Sequence, residues 1–263
     1  MNKKNNIKIE VKNPFVDIVM PNYNKGKFIE EAINSVISQT YKNWKLYIID
    51  DHSSDNSIEI IKKFSNLKNV NVIKLKKNKG PSFCRNYAMR ISKSKCISFI
   101  DSDDGWEQDK LEKQISFMEK NDLAFTYTDY TSFYESQGKR DMQKKTNLKE
   151  SFDFKAFVKN SSINTTTMII KRSILKNHKF KKIKLCEDYL FKCELLKNGN
   201  IASKLNENLA FYRILNKSRS SQRIQNVYWI WYINKNYNKF NFIQNMISII
   251  CITINSIKKY GIK

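Results

Sequence analysis

From Phe15 onward, short apolar runs alternate with stretches in which apolar residues recur every three or four positions. "FVDIVM" (15–20) and "KLYIID" (45–50) read as buried strands, while "KFIEEAINSVISQ" (27–39) sets Phe28, Ala32, Ile33, Val36 and Ile37 at helical spacing. The same reading predicts a helix in "SIEIIKKFS" (57–65), a strand in "VNVIKL" (70–75) and a helix in "PSFCRNYAMRIS" (81–92), which opens on a proline as helices tolerate. Strand "CISFID" (96–101) and helix "DKLEKQISFMEK" (109–120) complete the series. Strands alternating with helices of this length predict crossover connections. The expected fold is therefore α/β: a mostly parallel, Rossmann-like central sheet flanked by helices.

After residue 120 the rhythm loosens. "LAFTYTDYTSFYES" (123–136) alternates like a pair of strands, "GKRDMQKKTNLKES" (138–151) reads as a polar loop and "TTTMIIKR" (165–172) as a short strand. Helix "CEDYLFKCELLKNG" (186–199) closes on Gly199, and strand "ENLAFYRI" (207–214) follows. No internal repeat or Gly/Pro/Ser-rich linker interrupts this part. Residues 1–220 are read as one domain with halves 15–120 and 121–220, and 221–263 as a helical C-terminal extension.

With 263 residues the chain is long enough for such a domain and its core. Its net charge of +23, from 48 basic and 25 acidic residues, invites a polyanionic partner such as nucleic acid, a phosphorylated glycan or an anionic membrane face. Only seven of the basic residues are arginine, however, and lysine enrichment beside abundant Asn and Ile is equally what compositional drift produces. Five cysteines, an odd number without C-x-x-C spacing, read as reduced thiols. The start, "MNKKNNIKIEVKN", has lysines but no apolar core after them, so the expected location is the cytoplasm.

Candidate chemistry gathers where the strands end. In an open parallel sheet ligands sit beyond the carboxyl ends of the strands. There the chain places "PNYN" (21–24), "DHSSDNS" (51–57) behind Asp50, and "DSDD" (101–104). Singly these are a proline turn, an Asp/Ser helix cap and a solvated acidic loop. Together they share one edge. Asp101 and Asp103 fall on one side of a continued strand, and two close carboxylates call for a cation. Hard oxygen donors suit Mg²⁺ or Mn²⁺, which complete their shells with water and substrate phosphates.

These stretches, with "NKGPSFCRNYAMRISKSKCISFIDSDDGW" and "CEDYLF", resemble the inverting family 2 nucleotide-sugar glycosyltransferases of the GT-A fold, from about Val16 to Ser220. The resemblance implies a nucleotide-sugar half (15–120) and an acceptor half (121–220). It implies that Pro21, Tyr23 and Asn24 wall the nucleotide pocket, with Tyr23 against the base and Asp51 accepting from its ring N–H, which favours uracil. Asp101 and Asp103 would be the D-x-D pair, with Asp103 on the metal, Asp101 nearer the ribose and Asp104 extending the cluster. Arg85 would steady the nucleotide or those acids; an ordinary helix salt bridge accounts for it equally. Glu187 and Asp188 match the family's E-D motif, in which the aspartate is the base that takes the acceptor's proton. Acids in the first turn of a helix also have a plain dipole explanation. The implied reaction moves one sugar from a UDP-linked donor to a hydroxyl of a surface glycan such as lipopolysaccharide or capsule, using a divalent metal.

The match departs from the family in "YRILNKS" (212–218), which keeps Tyr212, Arg213 and Ser218 but has Leu215 where the family commonly has His. Arg213, Lys217 or Arg219 would have to replace it. The glycine usual before the Phe of "KNHKF" is absent, and so is Q-x-x-R-W, so a single transfer per binding event is expected. Three rivals stand beside this reading: a sugar-phosphate nucleotidyltransferase, for which "PNYNKGK" is a poor phosphate loop; a basic nucleic-acid-binding protein; and a catalytically weakened family member. Nucleic acid is not the expected partner. The tail, 226–263, is amphipathic. It packs on the domain or on a second copy as a homodimer, or it lies on the inner face of the membrane.

Overall fold

The computed structural model describes residues 15–136, 139–215 and 223–260. Strands β1 (Val16–Asn22), β2 (Trp44–Asp50), β3 (Val70–Lys74) and β4 (Cys96–Phe99) alternate with α1 (Ile29–Ile37), α2 (Ser57–Lys62) and α3 (Pro81–Ile91). They pair in parallel in the order β3-β2-β1-β4, with Ile18 in register with Leu46 on one side and Ser98 on the other. Helices cover both faces of these strands, so β1 and β2 are buried almost throughout and read as continuous apolar runs rather than alternations. Burying one such Ile or Val side chain contributes about 1.5–3 kcal/mol.

The second half supplies β5 (Gly105–Trp106), α4 (Lys110–Lys120), β6 (Phe125–Ser136), β7 (Lys139–Lys145), β8 (Ser151–Phe152), α5 (Phe154–Phe157), β9 (Ile169–Lys171), α6 (Glu187–Lys197) and β10 (Ala202–Arg213). The sheet continues from β4 through β9, β6 and β10 to β5. β9 runs antiparallel to both β4 and β6, so the parallel run stops at β4 and the sheet as a whole is mixed α/β.

Three elements differ from the sequence expectation. The stretch 123–136 holds one strand, the 12 residues Phe125–Ser136, not two. The residue best suited to turn it, Asp129, stays in line because its carboxylate accepts from the Leu148 N–H at 2.8 Å and the Thr146 hydroxyl at 3.1 Å. The polar stretch after it is not all loop: β7 pairs antiparallel with β6, and its lysines and arginine suit a solvated edge. In "TTTMIIKR", Thr165–Thr167 make a 3₁₀ turn capped by the Asn164 side chain, and the strand starts at Ile169.

The tail forms α7 (Arg223–Asn236) and α8 (Phe242–Tyr260), which pack against the domain. Asn234 Oδ1 accepts from Tyr189 of α6 at 2.9 Å, and Ser248 donates to the Val158 carbonyl at 2.6 Å. Because β1 lies between β2 and β4, the carboxyl ends of these three strands are neighbours, and the loops carrying the candidate residues open side by side.

Candidate active site

The loops after β1 and β2 are tied together by side chains. Buried Asn22 donates to Asp50 at 2.8 Å and to Ser53 at 3.2 Å, and Ser53 donates back to Asp50 at 2.6 Å. Asn24 holds a left-handed φ of 49°, a conformation asparagine tolerates, and its Oδ1 accepts from the Ser54 N–H at 2.8 Å. Pro21 is half-buried and Tyr23 is 49% exposed, leaving an aromatic face open beside this loop pair. Asp51 is buried: its two oxygens accept from the N–H groups of Lys79 and Gly80 at 2.7 and 2.8 Å. It therefore anchors the turn that starts α3, where Gly80 has a φ of 84° that a side chain would oppose.

The D-x-D acids emerge from the end of β4 and take separate partners. Arg85 donates to Asp101 at 2.6 Å, while Lys25 from the loop after β1 reaches Asp103 at 2.5 Å. Asp104, expected to extend the acidic cluster, instead takes its partners inside the fold. It is buried, with Oδ2 accepting from the Thr166 hydroxyl at 2.5 Å and Oδ1 from the Arg213 N–H at 3.1 Å, so it braces the loop from inside. Burial and the charges of Asp103 and Asp101 push the Asp104 carboxyl well above the ordinary range. Burial also pushes Asp103 up; the Lys25 ammonium pulls against it and the Asp101 charge adds to the rise.

Crowded carboxylates that resist ionisation fit a divalent cation, and Lys25 already marks the position where positive charge is favoured. No three Asp, Glu, His or Cys side chains among the described residues are arranged to hold an ion by themselves. Two aspartates nevertheless suffice for Mg²⁺ or Mn²⁺ when phosphate oxygens and water complete the shell. Asp101 and Asp103 fit that partial role, and Asp104 does not.

Helix α6 brings the second acid group to the same place. Arg85, 5% exposed, turns its other amino group to Glu187 at 3.3 Å and lies over the Phe180 ring, so one guanidinium joins the tip of β4 to the start of α6. Glu187 is thereby a buried charge partner of Arg85, whereas the neighbouring Asp188 keeps 39% of its side chain exposed. Asp188 Oδ2 accepts from Lys192 at 2.8 Å and from the Thr165 hydroxyl at 3.3 Å. Burial works to raise this carboxyl, but the Lys192 ion pair and hydrogen bond, with Arg85 behind them, hold it well below the ordinary range.

Arg213, weighed as a substitute for the missing His, is 3% exposed and committed to Glu31 at 2.7 Å, to Glu135 and to the Asp103 carbonyl at 3.0 Å. It shapes the D-x-D loop from behind. Leu215 is half-buried, and Lys217, Ser218 and Arg219 lie outside the described residues. Sequence reasoning missed Lys25, Thr165, Thr166 and Lys192. Lys25 follows directly on "PNYN", a detectable signal; Lys192 reads from sequence as an ordinary polar helix position.

Two acid groups thus meet around one buried arginine at the carboxyl edge of a helix-covered α/β sheet. The family model for Glycosyl transferase family 2 matches residues 17–179, and the chain belongs to that family. The putative teichuronic acid biosynthesis glycosyltransferase TuaG of Bacillus subtilis is 30% identical over 247 residues, 94% of this chain and 97% of that protein. The Escherichia coli protein WfgD, named as a UDP-Glc:alpha-D-GlcNAc-diphosphoundecaprenol beta-1,3-glucosyltransferase, is 32% identical over 249 residues, 92% of each chain. Among solved structures, S. aureus TarS 1-349 in complex with UDP-GlcNAc shares the fold with a TM-score of 0.70 at 19% identity, covering 93% of this chain and 73% of that one.

Proposed function

We propose that this chain transfers one sugar from a UDP-linked donor, with inversion, to a hydroxyl of a lipid-linked precursor of a bacterial surface glycan. The observation that carries the reading is the Arg85 bridge, 2.6 Å to Asp101 and 3.3 Å to Glu187, because it joins the acids after β4 to the start of the E-D helix. In the reaction, the acceptor oxygen bonds to the anomeric carbon as the bond to the diphosphate breaks. The hydroxyl proton passes to Asp188, and the electron pair leaves on UDP. Asp188 suits this because Lys192, with Arg85 behind it, keeps it ionised and the Lys192 and Thr165 bonds orient it through Oδ2. Asp101 and Asp103 would hold a Mn²⁺ or Mg²⁺ ion, whose charge would stabilise the departing diphosphate. The activity for which WfgD is named supports a UDP-sugar donor and a diphosphoundecaprenol-linked acceptor.

The test pairs a panel of UDP-sugars with a polyprenyl-diphosphate-linked N-acetylhexosamine and follows UDP release and product mass. One donor should yield a product one sugar heavier, and Asp188→Asn should lose turnover by about 10²–10⁴-fold while UDP binding persists. Release of pyrophosphate from a nucleoside triphosphate and a sugar phosphate would replace this reading with a nucleotidyltransferase. Unchanged turnover in Asp188→Asn would remove the assigned base.

A further inference from the structure

Helix α8 turns three polar residues to the protein, beside Ile252 and Ile249: Asn245 donates to the Trp231 carbonyl at 3.0 Å, Ser248 to the Val158 carbonyl at 2.6 Å and Asn255 to the Lys159 carbonyl at 3.0 Å. Five of its isoleucines face out, with Ile243, Ile247, Ile250, Ile254 and Ile257 between 43% and 68% exposed and Phe242 at 70%. The spacing of those isoleucines, alternately four and three, lays them in one stripe along a helix of 19 residues. Helices of water-soluble domains usually carry the opposite arrangement, and a contiguous exposed stripe of this kind marks an interaction surface. No helix among the described residues is long and apolar enough to cross a membrane, so the stripe is not part of a span.

Charge selects the occupant. Residues 223–260 contain five Lys or Arg and no Asp or Glu, and the whole chain carries +23. A second copy would therefore bring like charge to the seam, with no acidic residue on either helix to pair across it. An anionic bilayer brings the complementary sign. Basic residues also stand near the helix: an open recess of about 380 Å³, lined by Lys149, Lys155 and Lys159 around Asp153, borders α5, the segment whose following carbonyls hold Ser248 and Asn255 of α8. Exposed Tyr228, Tyr232 and Tyr237 stand on and just after α7, and such amphipathic rings favour the headgroup region.

We infer that α8 docks flat on an anionic lipid surface, with its isoleucine stripe among the acyl chains and the lysines beside α5 against the headgroups. This deepens the lipid-linked acceptor reading above: a flat-lying α8 would hold the catalytic domain at the surface that carries a polyprenyl diphosphate.

The test is co-sedimentation of the full chain with vesicles of phosphatidylcholine containing phosphatidylglycerol, with UDP binding measured in parallel. The native chain should pellet with these vesicles and about tenfold less with phosphatidylcholine alone. Ile247→Asn with Ile250→Asn should abolish pelleting while circular dichroism and the thermal midpoint stay close to native values, since both residues are 44–50% exposed and neither belongs to the core. Lys155→Gln with Lys159→Gln leaves α8 untouched and should weaken the preference for anionic vesicles. Pelleting that survives the isoleucine substitutions overturns the proposal, and so does a native dimer in lipid-free buffer that those substitutions dissociate. Lost UDP binding with retained pelleting would strike the enzymatic reading and leave the docking surface standing.

Discussion

Lys192 Nζ lies 2.8 Å from Asp188 Oδ2, one turn along α6, and donates also to the Ile163 carbonyl at 2.7 Å. The ammonium is thus fixed at both ends, and with it the proposed base. A carboxyl held below the ordinary range is charged at every pH above that range and loses its proton-accepting form only in strong acid. Lys192→Met keeps the volume but deletes the charge, leaving burial opposed by Arg85 and the Tyr189 N–H without the largest lowering influence. The acid limb of kcat/KM should then move up by about one pH unit or more, with UDP affinity unchanged. Superimposable pH profiles for the two proteins would show that Lys192 does not set the base.

Arg85 holds two carboxylates from different elements in a site where the guanidinium and Glu187 are nearly sequestered from water. Removing one partner of a buried pair strands the other charge, at a cost of about 3–5 kcal/mol. Arg85→Met should lower stability by that order in urea denaturation. Adding Glu187→Gln should restore part of the loss, because the stranded charge is then gone. A double variant less stable than Arg85→Met would contradict the bridging account.

Asp103 is predicted to be the acid through which a divalent ion acts on nucleotide binding. The thermal stabilisation given by UDP with Mn²⁺ should fall when EDTA is added to the native chain. Asp103→Asn should show the EDTA-treated value with or without metal. Metal-dependent stabilisation that persists in Asp103→Asn would assign the ion elsewhere.

Lys110 is fully buried, 2.9 Å from Gln114 Oε1 and 4.2 Å from the centre of the Trp106 ring, and burial lowers its pKa to about 7. Between that value and the ordinary lysine value of 10.5, the unfolded chain binds a proton that the folded chain rejects, so this group makes stability rise with pH through that window. Relative to the native chain, Lys110→Met should gain about 1–3 kcal/mol at pH 6 and lose that advantage by pH 10. An equal difference at both pH values would place the ammonium in a hydrated environment.

The parallel half of the sheet was legible because its signals are local. Apolar runs such as "FVDIVM" and "KLYIID" can be buried on both faces only as central strands, and Pro81 opens α3 where prolines open helices. The second half was harder to read. Asp129 carries a turn residue's identity, and only bonds from Thr146 and Leu148 keep it in a strand.

At the site, sequence alone determined which acids stand at strand and helix ends, since order along the chain sets those positions. Tertiary structure decided what each acid does. Asp104 turns inward to Thr166, Glu187 is neutralised by Arg85, and Asp188 is held by Lys192 and Thr165. A carboxylate's protonation and reach depend on burial and on charges brought from distant segments, and no spacing within one segment encodes those neighbours.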